Sequence, residues 1–108
     1  MKIAIFLVLL LMGFLVTFQA FAQQEPIYLP PVKFDHPYHG KLTIIEHDDP
    51  YTVCQALGCQ IGPLHRGRCT IHVPRRGTVS ERLYRAVIEH ETGHCNGWPG
   101  NHPGVRVR

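Results

Sequence analysis

His90-Glu91-Thr92-Gly93-His94 sets two imidazoles four residues apart, with a carboxylate beside the first. On an α-helix such residues lie one turn above each other, with Cβ atoms about 5–6 Å apart. Both rings can then converge on one ion at about 2.0–2.1 Å, the distance zinc takes to histidine nitrogen. Glu91, one position on, points too far round the helix to join them, but it can hydrogen-bond a water at the open position of the ion. Zinc lowers the pKa of such a water to about 7, and the carboxylate takes its proton during attack on a carbonyl. The spacing therefore predicts His90 and His94 as ligands, Zn2+ as the ion and Glu91 as general base. Without a cation, two histidines and a glutamate buried together leave uncompensated polar charge, at a cost of several kcal/mol.

A helix must present this motif, and the sequence punctuates one. Thr78-Val79-Ser80-Glu81 matches a capping box, with Thr78 as N-cap and Glu81 reaching back from the third helical position. From there to Cys95, at about 100° per residue, Leu83, Tyr84, Val87, Ile88, His90, Glu91, His94 and Cys95 share one side. Arg82, Arg85, Glu89 and Thr92 fall on the other, where Glu81 and Arg85 are spaced for an ion pair. Gly97 ends the helix and Pro99 prevents its restart. Gly93 inside it costs about 1 kcal/mol relative to alanine, which reads either as a site of close packing or as a plain blemish in helix propensity.

A catalytic zinc needs three protein ligands and the helix supplies two. The chain can turn back after Gly97, and Pro99-Gly100 bends it again. His102 follows eight residues after His94, and Pro103 restricts it to extended geometry. His102 is the expected third ligand, with Glu46, Asp48 and Asp49 as competitors.

Upstream, Leu42–Glu46 is β-branched and reads as a strand. Asp49 as N-cap, Pro50 at the first position and Gly58 at the end bracket a short helix over Tyr51–Leu57. Gln60–Arg68 reads as a turn. Cys69–Pro74 reads as a strand, placed at a sheet edge because proline cannot donate to a ladder. His72 on it could face the metal and stabilise an oxyanion, or face solvent. Trp98 reads as a hydrophobic lid over the helix end. His47, His65 and Arg75-Arg76 read as surface groups. Residues 23–40, with four prolines, read as an extended arm carrying solvated His36 and His39.

Composition sets the surroundings. Lys2, a 16-residue apolar run from Ile3 to Phe18 and Ala20-Phe21-Ala22 read as a signal peptide over residues 1–22, with a mature chain from Gln23. The run falls short of the ~20 residues of a membrane span, so no stable membrane association is expected after cleavage. The remaining 86 residues hold all four cysteines and all eight histidines. A domain this small needs staples, and an even cysteine count in an oxidising compartment suggests two disulfides. Cys59–Cys69 with Cys54–Cys95 is the expected pairing, and Cys69–Cys95 is its rival. The formal charge falls from +3 to +2 without Lys2, too mild for a nucleic-acid partner.

His90-Glu91-Thr92-Gly93-His94-Cys95-Asn96-Gly97 resembles the H-E-x-G-H-x-x-G core of the zincin metallopeptidases, the metzincin branch above all. It is also similar to compact bacterial zincin-like proteins, in which a strand, a short loop and the motif helix follow in order, as Cys69–Pro74, Arg75–Gly77 and Thr78–Cys95 do here. The resemblance implies His90 and His94 as zinc ligands, Glu91 as base and a strand that grips an extended peptide by strand addition. It departs at Gly100, where the metzincin pattern has its third histidine, and no methionine follows the motif. The expected fold is an α+β zincin-like mini-domain over residues 41–108, with an active-site helix, a supporting helix and a small sheet. The expected function is a periplasmic or secreted zinc metallopeptidase acting on a peptide or protein substrate. A non-catalytic zinc-stabilised module and a histidine-rich metal carrier are the alternatives.

Overall fold

The computed structural model describes residues 25–62 and 67–108. The expected signal segment and His65 lie outside them. The class is α+β. In chain order the elements are β1 (Tyr28–Leu29), β2 (Lys41–His47), β3 (Cys59–Gln60), β4 (Arg68–Pro74), α1 (Glu81–Cys95) and β5 (Arg106–Val107), with short 3-10 turns at Val32–Phe34 and Pro50–Thr52. One sheet has the order β2-β4-β3, and a second pairs β1 with β5.

Strand β4 is the middle of its sheet, which corrects the expectation of an edge. It runs parallel to β2, from Lys41 opposite Arg68 to His47 opposite Pro74, and antiparallel to β3. Pro74 is tolerated because it closes the strand. Arg75 donates to the His47 carbonyl at 2.8 Å, so the missing N–H of Pro74 points the other way, where β3 has already ended. Along β4, Cys69, Ile71 and Val73 are buried in alternation and pack against Tyr84, Val87 and Cys95 of α1.

Helix α1 is capped by Ser80, whose hydroxyl accepts from Leu83 N–H at 3.1 Å, and not by Thr78. The Thr78 hydroxyl donates to the Arg75 carbonyl at 2.6 Å, closing the preceding turn. Glu81 is therefore the first helical residue, where it pairs with Arg76 and, at 3.2 Å, with Arg85. At the far end Gly97 takes φ 102°. Trp98 N–H donates to the Gly93 carbonyl at 3.0 Å and Gly97 N–H to that of His94 at 3.1 Å, a Schellman motif.

The segment before β2 is a structural layer as well as an extended arm. Ile27 and Leu29 pack on Ala86 of α1, and Ile27 exchanges backbone hydrogen bonds with Arg108 at 2.9 and 2.8 Å. Thr92 is also buried, although the periodicity sets it on the solvent side. A Cβ on Gly93 would come within 2.7 Å of Pro30, so the glycine lets the arm cross.

No supporting helix forms at residues 51–57. Asp49 caps as expected, accepting from Tyr51 N–H at 3.1 Å, but the turn stops at Thr52. The disulfide Cys54–Cys59 holds Cα atoms 5.7 Å apart, whereas five helical residues would advance about 7.5 Å along the axis alone. The second bridge is Cys69–Cys95. The expected Cys59–Cys69 pairing fails because Cys59 stands opposite His72, on the other face of β4 from Cys69. With Cys59 taken, Cys54–Cys95 is also lost. Two bridges and no free cysteine among the described residues fit an oxidising, extracellular compartment. Among those residues no helix is long and apolar enough to cross a membrane.

Restriction of the unfolded chain grows with the length of the closed loop. Cys69–Cys95 spans 26 positions and Cys54–Cys59 spans 5. Replacing the first pair by alanine is expected to cost about 3–4 kcal/mol in urea unfolding, and the second about 2 kcal/mol. A larger loss from the second pair would contradict the pairing, as would non-reducing peptide maps with other linkages.

Candidate metal centre

Three imidazoles meet at one end of α1. His90 and His94 face the same way from successive turns, and the segment after Gly97 folds back to set His102 against both. The Nε2 atom of His102 lies 3.1 Å from that of His90 and 3.2 Å from that of His94. One ligand atom from each of the three falls within a 4.8 Å group. Two ligands of a tetrahedral ion at about 2.0–2.1 Å stand about 3.3–3.4 Å apart, within a few tenths of an ångström of the two distances to His102.

The other ring nitrogens explain which atoms converge. Nδ1–H of His90 donates to the Tyr28 carbonyl at 2.7 Å, and Nδ1–H of His94 to the Trp98 carbonyl at 2.8 Å. Each bond places the proton on Nδ1 and leaves the Nε2 lone pair aimed at the shared centre. Burial lowers the pKa of His90 despite the Tyr28 bond, and the neighbouring His94 and His102 lower it further. Burial, and then His94, lowers that of His102. Neutral imidazole is the ligating form, so these shifts suit a cation. The three histidines could hold a metal ion.

His102 arrives by a route the sequence did not suggest. Its φ is 60°, left-handed and not extended. His102 N–H donates to the Pro99 carbonyl at 3.0 Å, and Val105 N–H to that of His102 at 3.3 Å. The tight Pro99–His102 turn overrides the preference that Pro103 imposes on its neighbour. Histidine visits this region more readily than most residues, and the four-residue Asn-His-Pro-Gly stretch was the available signal.

The competing ligands are engaged elsewhere. Glu46 accepts from Arg76 N–H at 2.9 Å and from the Tyr84 hydroxyl at 3.1 Å. Asp48 pairs with Arg75, and Asp49 caps its turn. His72 and His47 hydrogen-bond to each other at 2.8 Å, and neither lines the cleft described below, so His72 does not face the triad. His36 and His39 stack on each other at 5.4 Å, outside the triad.

Glu91 is buried, 5 % exposed, and burial alone pushes its carboxyl up to about 7. Its Oε2 lies where a side chain on Gly58 would reach, 3.2 Å from such a Cβ, so that glycine keeps space open above the carboxylate. Glu91 and all three histidines line one cleft of about 1000 Å³. Its walls are Leu57 and Gly58 before β3, Leu83 and Val87 of α1, and Ile27 of the arm. This is at the upper end of the volumes of ligand sites. A basic group near neutrality, a cluster of metal-capable donors and an apolar cleft thus share one place.

Compared with models of known protein families, with curated proteins and with solved structures, the chain matches none.

A carboxyl whose folded pKa exceeds its unfolded value carries an extra proton when folded, so stability declines as pH rises from 4.5 through about 7. Glu91→Gln removes that decline, while the opposing histidine shifts stay in both proteins. The metal-free variant is expected to match wild type near pH 4.5 and exceed it by about 2–3 kcal/mol at pH 8, read by chemical denaturation. A constant difference across that range would show that Glu91 titrates normally.

Proposed function

We propose that the protein is an exported, zinc-dependent metallopeptidase-like hydrolase, periplasmic or secreted, with a zincin-like mini-domain. The observation that carries this reading is the convergence of the His90, His94 and His102 Nε2 atoms at a cleft that also holds the buried Glu91. Three imidazoles, two of them held by second-nitrogen bonds to backbone carbonyls, suit zinc. When bound, zinc acidifies a water and polarises a peptide carbonyl. Glu91, whose burial holds it near neutrality, takes a proton from the attacking water and returns it to the departing amine. The apolar walls exclude bulk solvent and receive substrate side chains. Strand β3 pairs on one side only and belongs to the cleft wall, so its free edge can align an extended peptide by strand addition. It takes the part expected of Cys69–Pro74, which is paired on both sides.

A second reading, a non-catalytic zinc-stabilised module, is favoured by the position of the triad. An ion there joins α1 to the turn that leads into β5 and so staples a small domain. The carrier reading draws no support, since the described residues hold one group of three metal-capable side chains.

The base is tested by Glu91→Gln, which is expected to keep one zinc per chain and to lose at least about 10² in hydrolysis of an unstructured protein. Loss of zinc in that variant would show the role to be wrong. A fully loaded wild type that cleaves nothing would favour the module. The ligand set is tested separately. His102→Ala should weaken zinc binding by well over about tenfold and His39→Ala should leave it unchanged, and equal affinities would remove His102 from the site.

A further inference from the structure

Trp98, the single tryptophan of the chain, touches every member of the triad while being 2 % exposed. Its ring stacks on His94 with centroids 4.8 Å apart and planes 14° apart. It meets His90 and His102 edge-on, each at 4.9 Å. Its backbone carbonyl takes the Nδ1–H of His94 at 2.8 Å. Its indole N–H donates to the carbonyl of Pro103, the residue after His102, at 2.8 Å. We infer that Trp98 is a positioning residue for the whole triad, fixing the planes of the two helix imidazoles and clamping the turn that brings His102 over them. This rests on the metal reading of the site.

The turn needs such a clamp. His102 is exposed and left-handed, and glycines stand at 97, 100 and 104. A left-handed residue other than glycine costs about 1–2 kcal/mol, so a loose segment would leave it for extended conformations. Local backbone bonds at 3.0 and 3.3 Å hold His102 from either side. The indole N–H adds a bond that reaches the turn from the packed interior, and burial of that N–H makes the bond costly to break. The platform is built in from behind as well. A Cβ on Gly93 would lie 3.4 Å from Trp98 Cε3 and 2.7 Å from Pro30 Cβ, so the bare glycine lets indole and proline close on the helix together.

Zinc and cobalt(II) titrations of the full disulfide-bonded chain test the assignment, using Trp98→Ala, Trp98→Phe, His102→Ala and the double variants. Trp98→Ala is expected to weaken zinc roughly 10–100-fold. In the His102→Ala background the same change should cost less, because the part that acts through the His102 turn is already lost and only the part that acts through the His90 and His94 rings remains. Trp98→Phe keeps a ring on His94 but loses the N–H to Pro103. It should weaken zinc in the otherwise native chain and have almost no effect once His102 is alanine. Losses that add in full, or a lower melting temperature with unchanged affinity, would reduce Trp98 to core packing. If Trp98→Ala fails to fold, the Trp98→Phe pair decides by the same comparison. A wild type that binds neither ion would end the metal reading and this one with it. A wild type that binds normally, with Trp98→Phe unaltered in both backgrounds, would end this one alone.

Discussion

An imidazole presents one nitrogen in a fixed direction when its other N–H is held by a partner, and the geometry of this molecule depends on meeting that condition twice. The partners are backbone carbonyls, of Tyr28 and of Trp98. One belongs to the segment before the sheet and the other to the segment after the helix, so the site draws on both ends of the described chain. Those ends are tied to each other. Strand β1, which carries Tyr28, pairs with β5, and Arg106 of β5 donates to the Pro30 carbonyl at 2.8 Å and pairs with Asp35. The small second sheet therefore sets one carbonyl against His90, and through β5 it fixes where the His102 turn must end.

Electrostatics works in the same direction. Burial makes charge expensive around α1, raising the Glu91 carboxyl and lowering His90 and His102. All these shifts favour neutral groups in the metal-free protein. A divalent cation would reverse the balance for the carboxylate, since opposite charge nearby stabilises its ionised form, and it takes imidazoles in their neutral form, the form that burial favours for His90 and His102. The three histidines could thus hold a cation without first losing protons, and two disulfides help an otherwise marginal core to bear the buried polar groups.

What the sequence made legible was local. The i,i+4 histidines, the stop at Gly97, the Asp49 cap and the Glu81–Arg85 pair all depend on residues within about one helical turn of one another. The rest depended on contacts between distant segments. Pro74 argued for an edge strand, yet one missing N–H matters only on the side where a neighbour continues. Asp49, Pro50 and Gly58 described a helix in good order, and a bridge between Cys54 and Cys59 curled it after one turn. The 23–40 segment lacked periodicity because its apolar residues insert singly, Ile27 and Leu29 against Ala86. Nothing local announced that Ile27 and Leu29 would cover the Ala86 flank of α1. His102 was legible as a residue and illegible as a conformation.

The third imidazole comes from a turn. His90 and His94 are part-buried, while His102 is exposed and approaches over them from the solvent side. A histidine on a third helix or strand would need another packed layer, which a chain of this size does not have. A turn of a few residues brings the third imidazole to the other two with little added core, and Glu91 lines the same cleft as all three. In that cleft Gly58 keeps space above the carboxylate. The three imidazoles border an apolar cleft that also holds a carboxyl pushed up to about 7 by burial, and the hydrolase proposed above rests on that juxtaposition.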